Sequence, residues 1–162
     1  MLQRIQSIFL LGVGICMGLM LIFDIWQETD LEEGEQVVLN AYYLTVTESA
    51  EGAANQITVE QGTWVIAILA VLATITAFYE IFQYHNRLTQ IKLGALNSLF
   101  MAGALGASVW YSFEGEKIVN EATRGSYDIG FILPCIALLL NVMANRFIRR
   151  DEKLVRSVDR LR

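Results

Sequence analysis

The polar side chains inside the long apolar runs are the residues of this chain most able to do chemistry, and they are few. Asn97, Asn141 and Asn145 can each hydrogen-bond to a neighbouring helix, and Asn141 and Asn145 are one helical turn apart. Glu80 lies near the end of the second run, where a carboxyl can reach the headgroup region or relay a proton. We predict that the asparagines link helices, and a ligand site or solute path is the alternative.

Motifs for catalysis or metal binding are absent from the sequence. Cys16 and Cys135 lie inside apolar runs, and the single histidine, His85, has no neighbouring ligands. The sequence contains no nucleophile–base set and no Gly-rich phosphate loop. We therefore predict that the protein is not an enzyme and has no catalytic residues, metal site or cofactor.

Basic residues gather near the C-terminus and in the link after the second run. Residues 148–162 read IRRDEKLVRSVDRLR, and their apolar members fall near one helical stripe, which predicts an amphipathic helix. Such a surface can contact anionic lipid, RNA or an acidic protein partner, or it can serve only as a topological anchor. The candidate docking residues are Arg87, Lys92, Arg149, Arg150, Lys153, Arg156, Arg160 and Arg162.

Four apolar runs must position these residues, at about 5–23, 63–82, 93–111 and 130–147. Each is close to the roughly 20 residues that a helix needs to cross a hydrocarbon core of about 30 Å. Backbone polar groups in lipid must be satisfied within their own segment, which favours helices. We predict an all-α membrane protein with four transmembrane helices in residues 1–147 and a basic cytoplasmic tail at 148–162.

The distribution of charge predicts the orientation. Ten of the 12 Lys and Arg residues lie at the N-terminus, between the second and third runs, or after the fourth run. Only Lys117 and Arg124 lie on the other side, where the loop 24–62 carries acidic residues and no basic ones. Cytoplasmic segments are enriched in Lys and Arg, so we expect both termini in the cytoplasm. Trp26, Trp64 and Trp110 stand at the outer ends of runs, as interfacial tryptophans do.

The acidic outer loop has some strand character. Residues 35–47 read EQVVLNAYYLTVT and residues 55–60 read NQITVE, with turn residues at 49–52 between them. Runs rich in β-branched and aromatic residues around a turn predict a small antiparallel hairpin.

Small residues recur every four positions in two of the runs. Gly14 and Gly18 lie on the first run, and Ser98, Ala102 and Gly106 lie on the third. Small side chains let helices approach closely in a membrane. We expect them to pack helices within one chain, and a seam between two copies of the chain is the alternative.

Three cytoplasmic segments resemble a known family. They are the start MLQRIQSIFLL, the link NRLTQIKLGALN and the ending NRFIRRDEKLVRSVDRLR. Together they resemble the domain-of-unknown-function 4293 family, a group of small four-helix inner-membrane proteins of Bacteroidetes. The resemblance implies four spans in a bacterial inner membrane, and it implies no activity.

The function that best fits these features is that of a non-enzymatic subunit. We expect it to dock through its basic cytoplasmic face onto a larger membrane assembly, such as a secretion, insertion or respiratory complex. One alternative is a small oligomeric transporter or channel for a neutral solute, with the asparagines along its path. Another is an envelope sensor that reads the outer side through the acidic loop.

Overall fold

The computed structural model describes residues 3–29, 35–48, 56–83, 86–118 and 125–159. In these residues the elements are, in chain order, α1 (Gln3–Leu19), β1 (Trp26–Thr29), β2 (Glu35–Leu39), β3 (Tyr43–Glu48), β4 (Gln56–Gly62), α2 (Trp64–Phe82), α3 (Arg87–Glu116), β5 (Ser126–Tyr127) and α4 (Ile129–Asp159). The four helices pack against one another: α1 and α3 each contact both α2 and α4. The strands form one antiparallel sheet where α1 and α3 end and α2 and α4 begin.

Three helices are long and apolar enough to cross a membrane. They are α2, α3 and the part of α4 from Ile129 to Lys153. The prediction of membrane-spanning helices at 63–82, 93–111 and 130–147 is thereby confirmed in length and composition. α3 has 30 residues and α4 has 31, so each is about 45 Å long and extends beyond a hydrocarbon core of about 30 Å.

The prediction of an all-α protein with four spans is wrong. The apolar part of α1, Ile5–Leu19, is shorter than the helices of spanning length. It ends because the chain turns away: Leu21 N donates to Gly18 O and Ile22 N to Leu19 O, which are i to i+3 bonds. The turn lets Ile25 N donate to Leu39 O, and the chain continues as β1.

The sheet is the second departure from an all-α fold. Its strand order is β4-β3-β2-β1-β5, with antiparallel neighbours throughout. The predicted hairpin was too small, because residues 35–47 already hold two paired strands. Asn40 makes the turn between them: its Oδ1 accepts from Tyr42 N at 2.9 Å and from Tyr43 N at 2.8 Å. The predicted turn at 49–52 lies outside the described residues.

One face of the sheet packs on the helices. Val37, Leu39, Leu44 and Val46 are buried in the same apolar cluster as Met20 of the turn after α1. Along β2 the buried residues Val37 and Leu39 alternate with half-buried neighbours, as expected of a sheet with one covered face. The sheet therefore caps one end of the helices and belongs to the same core.

Trp26 joins the sheet to α3. It is 1% exposed, whereas Trp64 and Trp110 are 50% and 66% exposed, so the expectation that all three lie at a membrane interface is wrong for Trp26. Gly115 at the end of α3 and Gly125 before β5 lie against its indole ring. A Cβ at Gly115 would lie 2.8 Å from that ring, and a Cβ at Gly125 would collide with it. Only glycine fits at these two contacts.

The buried faces of α2 and α3 consist mainly of small residues. On α2 they are Ile66, Ala67, Ala70, Ala73, Ala77 and Glu80. On α3 they are Gln90, Gly94, Asn97, Met101, Ala104, Ser108, Ser112 and Gly115. Both series advance mostly by three or four residues, the spacing of one helix face. Small side chains on such faces allow close helix packing.

Candidate functional site

Asn141 connects α4 to α3 in the interior of the packed helices. Its Nδ2 donates to Gly94 O and to Ser98 Oγ, both at 2.8 Å. Ser98 Oγ in turn donates to Gly94 O at 3.1 Å. Asn141 is fully buried, and its Oδ1 has no partner among the described residues. This small network lies where sequence reasoning expected helix-linking asparagines.

Two more amides lie near this network without hydrogen bonds to the described residues. Asn97 is fully buried, and neither its Oδ1 nor its Nδ2 has a partner. Asn145 Oδ1 is buried and also has none. The Asn145 amide rests against Gly94, where an added Cβ would collide with it. Buried polar groups are usually satisfied, so these amide atoms are exceptions within the described part of the chain.

Glu80 is the one acidic residue buried on α2. It is fully buried, and both of its carboxyl oxygens lack a partner among the described residues. Its backbone carbonyl accepts from Gln90 Nε2 at 3.3 Å, which ties α2 to the start of α3. Arg87 Nη1 is buried and also unpartnered, so Arg87 and Glu80 do not pair in this structure.

The end of the helices away from the sheet is basic. We call this region the basic end; its described side chains are Arg87, Lys92, Arg146, Arg149, Arg150 and Lys153. All of them except the half-buried Arg87 are exposed, and none has a hydrogen bond or ion pair with another described residue. Of the other predicted docking residues, the Arg156 side chain, Arg160 and Arg162 lie outside the part of the chain that the structure describes.

The start of α1 lies against the basic end. Gln6 Nε2 donates to Asp151 Oδ2 at 2.5 Å, and both residues are buried. One helical turn nearer the sheet, the rings of Phe9 on α1 and Phe147 on α4 stack with centroids 5.6 Å apart. The two ends of the described chain are therefore on the same side of the helical layer.

Two grooves open beside Arg146. The larger has a volume of about 480 Å³ and runs between α3 and α4; it is lined by Ala95, Ser98, Val142, Asn145, Arg146 and Arg149. We call it the α3–α4 groove. The smaller, of about 270 Å³, is lined by Met143, Arg146, Phe147 and Arg150. Arg146, which sequence reasoning did not single out, thus borders both.

Of the small residues predicted to pack helices, some are buried between the helices and others lie on the exposed surface. Gly14 is buried, and a Cβ there would lie 3.2 Å from the ring of Phe78 on α2. Ala102 and Gly106 are exposed, and a Cβ at Gly106 or Gly18 would meet no atom within 4 Å. Ala102 and Gly106 therefore lie on the outer face of α3, whereas the half-buried Ser98 contacts α4 through Asn141.

The interior of α3 uses small residues that sequence reasoning missed, namely Gly94, Ala104 and Ser108. Their signal was the alternating three- and four-residue spacing. In an apolar helix the buried and exposed faces have similar residue types. The spacing of the buried small residues therefore could not be told apart from that of the exposed ones.

At the sheet end, Asp24 and Asp128 lie close together. Partial burial, and then the nearby Asp128 charge, raise the pKa of Asp24. Asp128 also starts α4, because its Oδ1 accepts from Ile129 N at 2.7 Å. No group of three or more His, Cys, Asp or Glu residues in the described part of the chain could hold a metal ion.

A comparison with functionally curated proteins finds no match to this chain. The family model described as "Domain of unknown function (DUF4293)" matches residues 2–161, which is nearly the whole chain. The resemblance seen in residues 1–11, 86–97 and 145–162 is thus confirmed, and the protein belongs to the DUF4293 family.

Proposed function

We propose that this protein is a non-enzymatic subunit of the bacterial inner membrane that docks through its basic end onto a larger membrane assembly. A secretion, insertion or respiratory complex is the class of assembly we have in mind. The observation that carries the proposal is a set of exposed cations at the basic end that have no ion pair with another described residue: Lys92, Arg146, Arg149, Arg150 and Lys153.

The length of α3 and α4 supports this function. Both helices exceed the hydrocarbon thickness, so part of each extends into water, and α4 carries its cations in its second half. Arginine and lysine side chains presented on rigid helices suit an acidic protein surface, where they steer association and select the partner.

The orientation we propose places both termini in the cytoplasm. The bias of Lys and Arg toward the basic end favours that side. The bond between Gln6 and Asp151 supports placing the start and end of the chain on one side together.

Cysteine labelling tests this orientation. Cys16 and Cys135 are replaced by alanine, and a single cysteine is introduced at Lys153 or at Thr58 in β4. In intact cells whose outer membrane has been permeabilised, a membrane-impermeant maleimide should label Thr58→Cys and not Lys153→Cys. The reverse pattern would contradict the proposed orientation.

Affinity purification tests the docking. The tagged protein, expressed at its native level, is extracted in mild detergent and its partners are identified by mass spectrometry. The test variant is Lys92→Ala/Arg150→Ala/Lys153→Ala. The matched control is Lys117→Ala, since Lys117 is a cation at the sheet end that pairs with Glu114 at 2.7 Å.

Partners that are lost in the triple variant and kept in the control would support docking and would identify the assembly. If the recovered partner is RNA, or if no partner is recovered from wild type, the docking proposal fails.

A second candidate is a path for a neutral solute, favoured by the buried side-chain oxygens of Asn97, Asn141 and Asn145, which have no hydrogen-bond partner among the described residues. Flux into liposomes above that of empty vesicles, abolished by Asn97→Leu, would support it. Flux at the background level would reject it.

A further inference from the structure

The α3–α4 groove has the shape of a site for a small amphiphile. On α3 it is lined by Ala95 and Ser98, whose side chains are too small to fill the space between the two helices. Its volume of about 480 Å³ is within the range of ligand pockets, roughly 300–1,000 Å³. A ligand of modest size can therefore sit between the helices without displacing a side chain.

One part of the groove is apolar and faces the surroundings of the helices. Ala95 and Val142 line it and are exposed, and the nearby Leu99 and Leu139 continue the exposed apolar surface along α3 and α4. These residues belong to the membrane-spanning parts of their helices. An alkyl chain that follows the groove in this direction stays in contact with apolar side chains.

The other part of the groove is cationic. Arg146 and Arg149 line it, are exposed, and have no ion pair or hydrogen bond with the described residues. Asp151, a nearby acid on α4, is engaged by Gln6. Two guanidinium groups in this arrangement can bind the oxygens of one phosphate, for which the planar fork of arginine is well suited.

The depth of the arginines matches that of a lipid phosphate. They lie in the last two turns of the apolar part of α4, which ends at Lys153. Basic pockets between transmembrane helices at the cytoplasmic side are suited to anionic headgroups. Asn145 also lines the groove, and its Oδ1, which has no hydrogen-bond partner among the described residues, adds an acceptor for a headgroup hydroxyl.

We propose that the α3–α4 groove binds one anionic phospholipid of the phosphatidylglycerol type. Arg146 and Arg149 hold its phosphate, Asn145 accepts a hydrogen bond from the glycerol headgroup, and an acyl chain lies along Ala95 and Val142. The lipid site shares Arg146 and Arg149 with the basic end but does not use Lys92, Arg150 or Lys153, the residues changed in the docking test, so each proposal can fail without the other.

Native mass spectrometry of the delipidated protein in detergent tests the site. The protein is titrated with short-chain phosphatidylglycerol, and short-chain phosphatidylcholine is the control for headgroup charge. The groove variant is Arg146→Gln/Arg149→Gln. The matched variant is Arg150→Gln/Lys153→Gln, which removes the same charge from beside the groove.

We expect wild type to prefer phosphatidylglycerol over phosphatidylcholine. The groove variant should bind phosphatidylglycerol about thirtyfold more weakly, the effect of two basic contacts to an anionic lipid. The matched variant should keep most of its affinity. An equal loss in the two variants, or equal binding of the two lipids by wild type, would overturn the proposal.

A variant with unaltered charge distinguishes binding in the groove from general electrostatic attraction to the basic end. Ala95→Leu fills the groove from an exposed position and leaves every charge in place. It should weaken binding of phosphatidylglycerol while thermal stability stays at the wild-type value. Unchanged binding in Ala95→Leu would overturn the groove as the seat of the lipid, and so would glycerol 3-phosphate binding as tightly as the lipid.

Discussion

Asn141 on α4 donates from its side-chain amide to the backbone carbonyl of Gly94 on α3, at 2.8 Å. A buried side chain of one helix thus bonds to the backbone of the next, which fixes both the spacing and the register of the pair. The absence of a side chain at Gly94 allows this approach, and the amide of Asn145 occupies the space beside it.

Replacing Asn141 with leucine should destabilise the protein by about 0.6–2 kcal/mol, the usual value of interhelical hydrogen bonds in membranes. Leucine removes both donated bonds and leaves Gly94 O with fewer donors. The measurement is the free energy of unfolding in mixed detergent micelles. Val142→Leu on the exposed side of α4 is the control, and an equal effect of the two substitutions would show that the bonds contribute nothing.

Gly94→Ala should cost about 1–3 kcal/mol, the usual penalty of overpacking, because the new Cβ would collide with the Asn145 amide. Gly106→Ala on the same helix adds the same group to open space and should change little. Thermal unfolding of the two variants provides the comparison. A Gly94→Ala protein as stable as Gly106→Ala would mean that the Asn145 side chain moves away at no cost.

Gly115→Ala should loosen the contact between α3 and the sheet, since its Cβ would lie 2.8 Å from the Trp26 ring. We expect Trp26 to become accessible to iodide, measured by fluorescence quenching in a protein whose Trp64 and Trp110 are replaced by phenylalanine. Gly18→Ala, which meets no neighbouring atom, is the control. Quenching that stays at the level of this control would contradict the tight packing around Trp26.

The raised pKa of Asp24 makes the stability of the folded protein depend on pH. The folded protein holds this proton more tightly than the unfolded chain, so the ionised carboxyl opposes folding at neutral pH. The penalty shrinks as the pH falls toward about 3.9, the ordinary value for aspartate. Asp24→Asn should therefore have a higher melting temperature than wild type at about pH 7, with a difference that narrows toward about pH 4. A difference that widens on acidification would contradict this sign.

The helices could be predicted from the sequence because a hydrocarbon layer imposes a length and forbids unpaired backbone groups. The structure confirms this for α2, α3 and α4. It differs for α1, where the apolar run 5–23 continues past the end of the helix at Leu19. Hydropathy could not show that end, because the residues of the turn, Met20 to Phe23, are as apolar as the helix itself.

The sheet was only partly predictable because the pairing of β1 with β5 is short and distant in sequence. β5 has two residues, and it pairs with β1 across about a hundred positions of the chain. β1 reads WQET, which has little of the β-branched character that marked β2 and β3. A pattern in a local window cannot reveal a pairing of this kind.

The candidate site was predictable in its residue types and less so in its geometry. Arginine and asparagine could be read from the sequence, and Asn141 and Asn145 lie at the contact between α3 and α4. The α3–α4 groove could not be foreseen, because it depends on Ala95 and Val142 being on the facing edges of two helices. That placement is set by the rotation of each helix, which an apolar sequence leaves open.

The pairing of β1 with β5 sets an order in which the protein can be completed during synthesis. β1 to β4 can assemble as soon as the first half of the chain has left the ribosome, but β1 then remains an open edge. That edge is covered only when residues 126–127 arrive, and the Gly125 contact with Trp26 forms at the same moment. Because α4 begins at Ile129, sealing the sheet coincides with delivery of the last helix to the membrane. Complete burial of Trp26 thus requires residues that follow it by about a hundred positions.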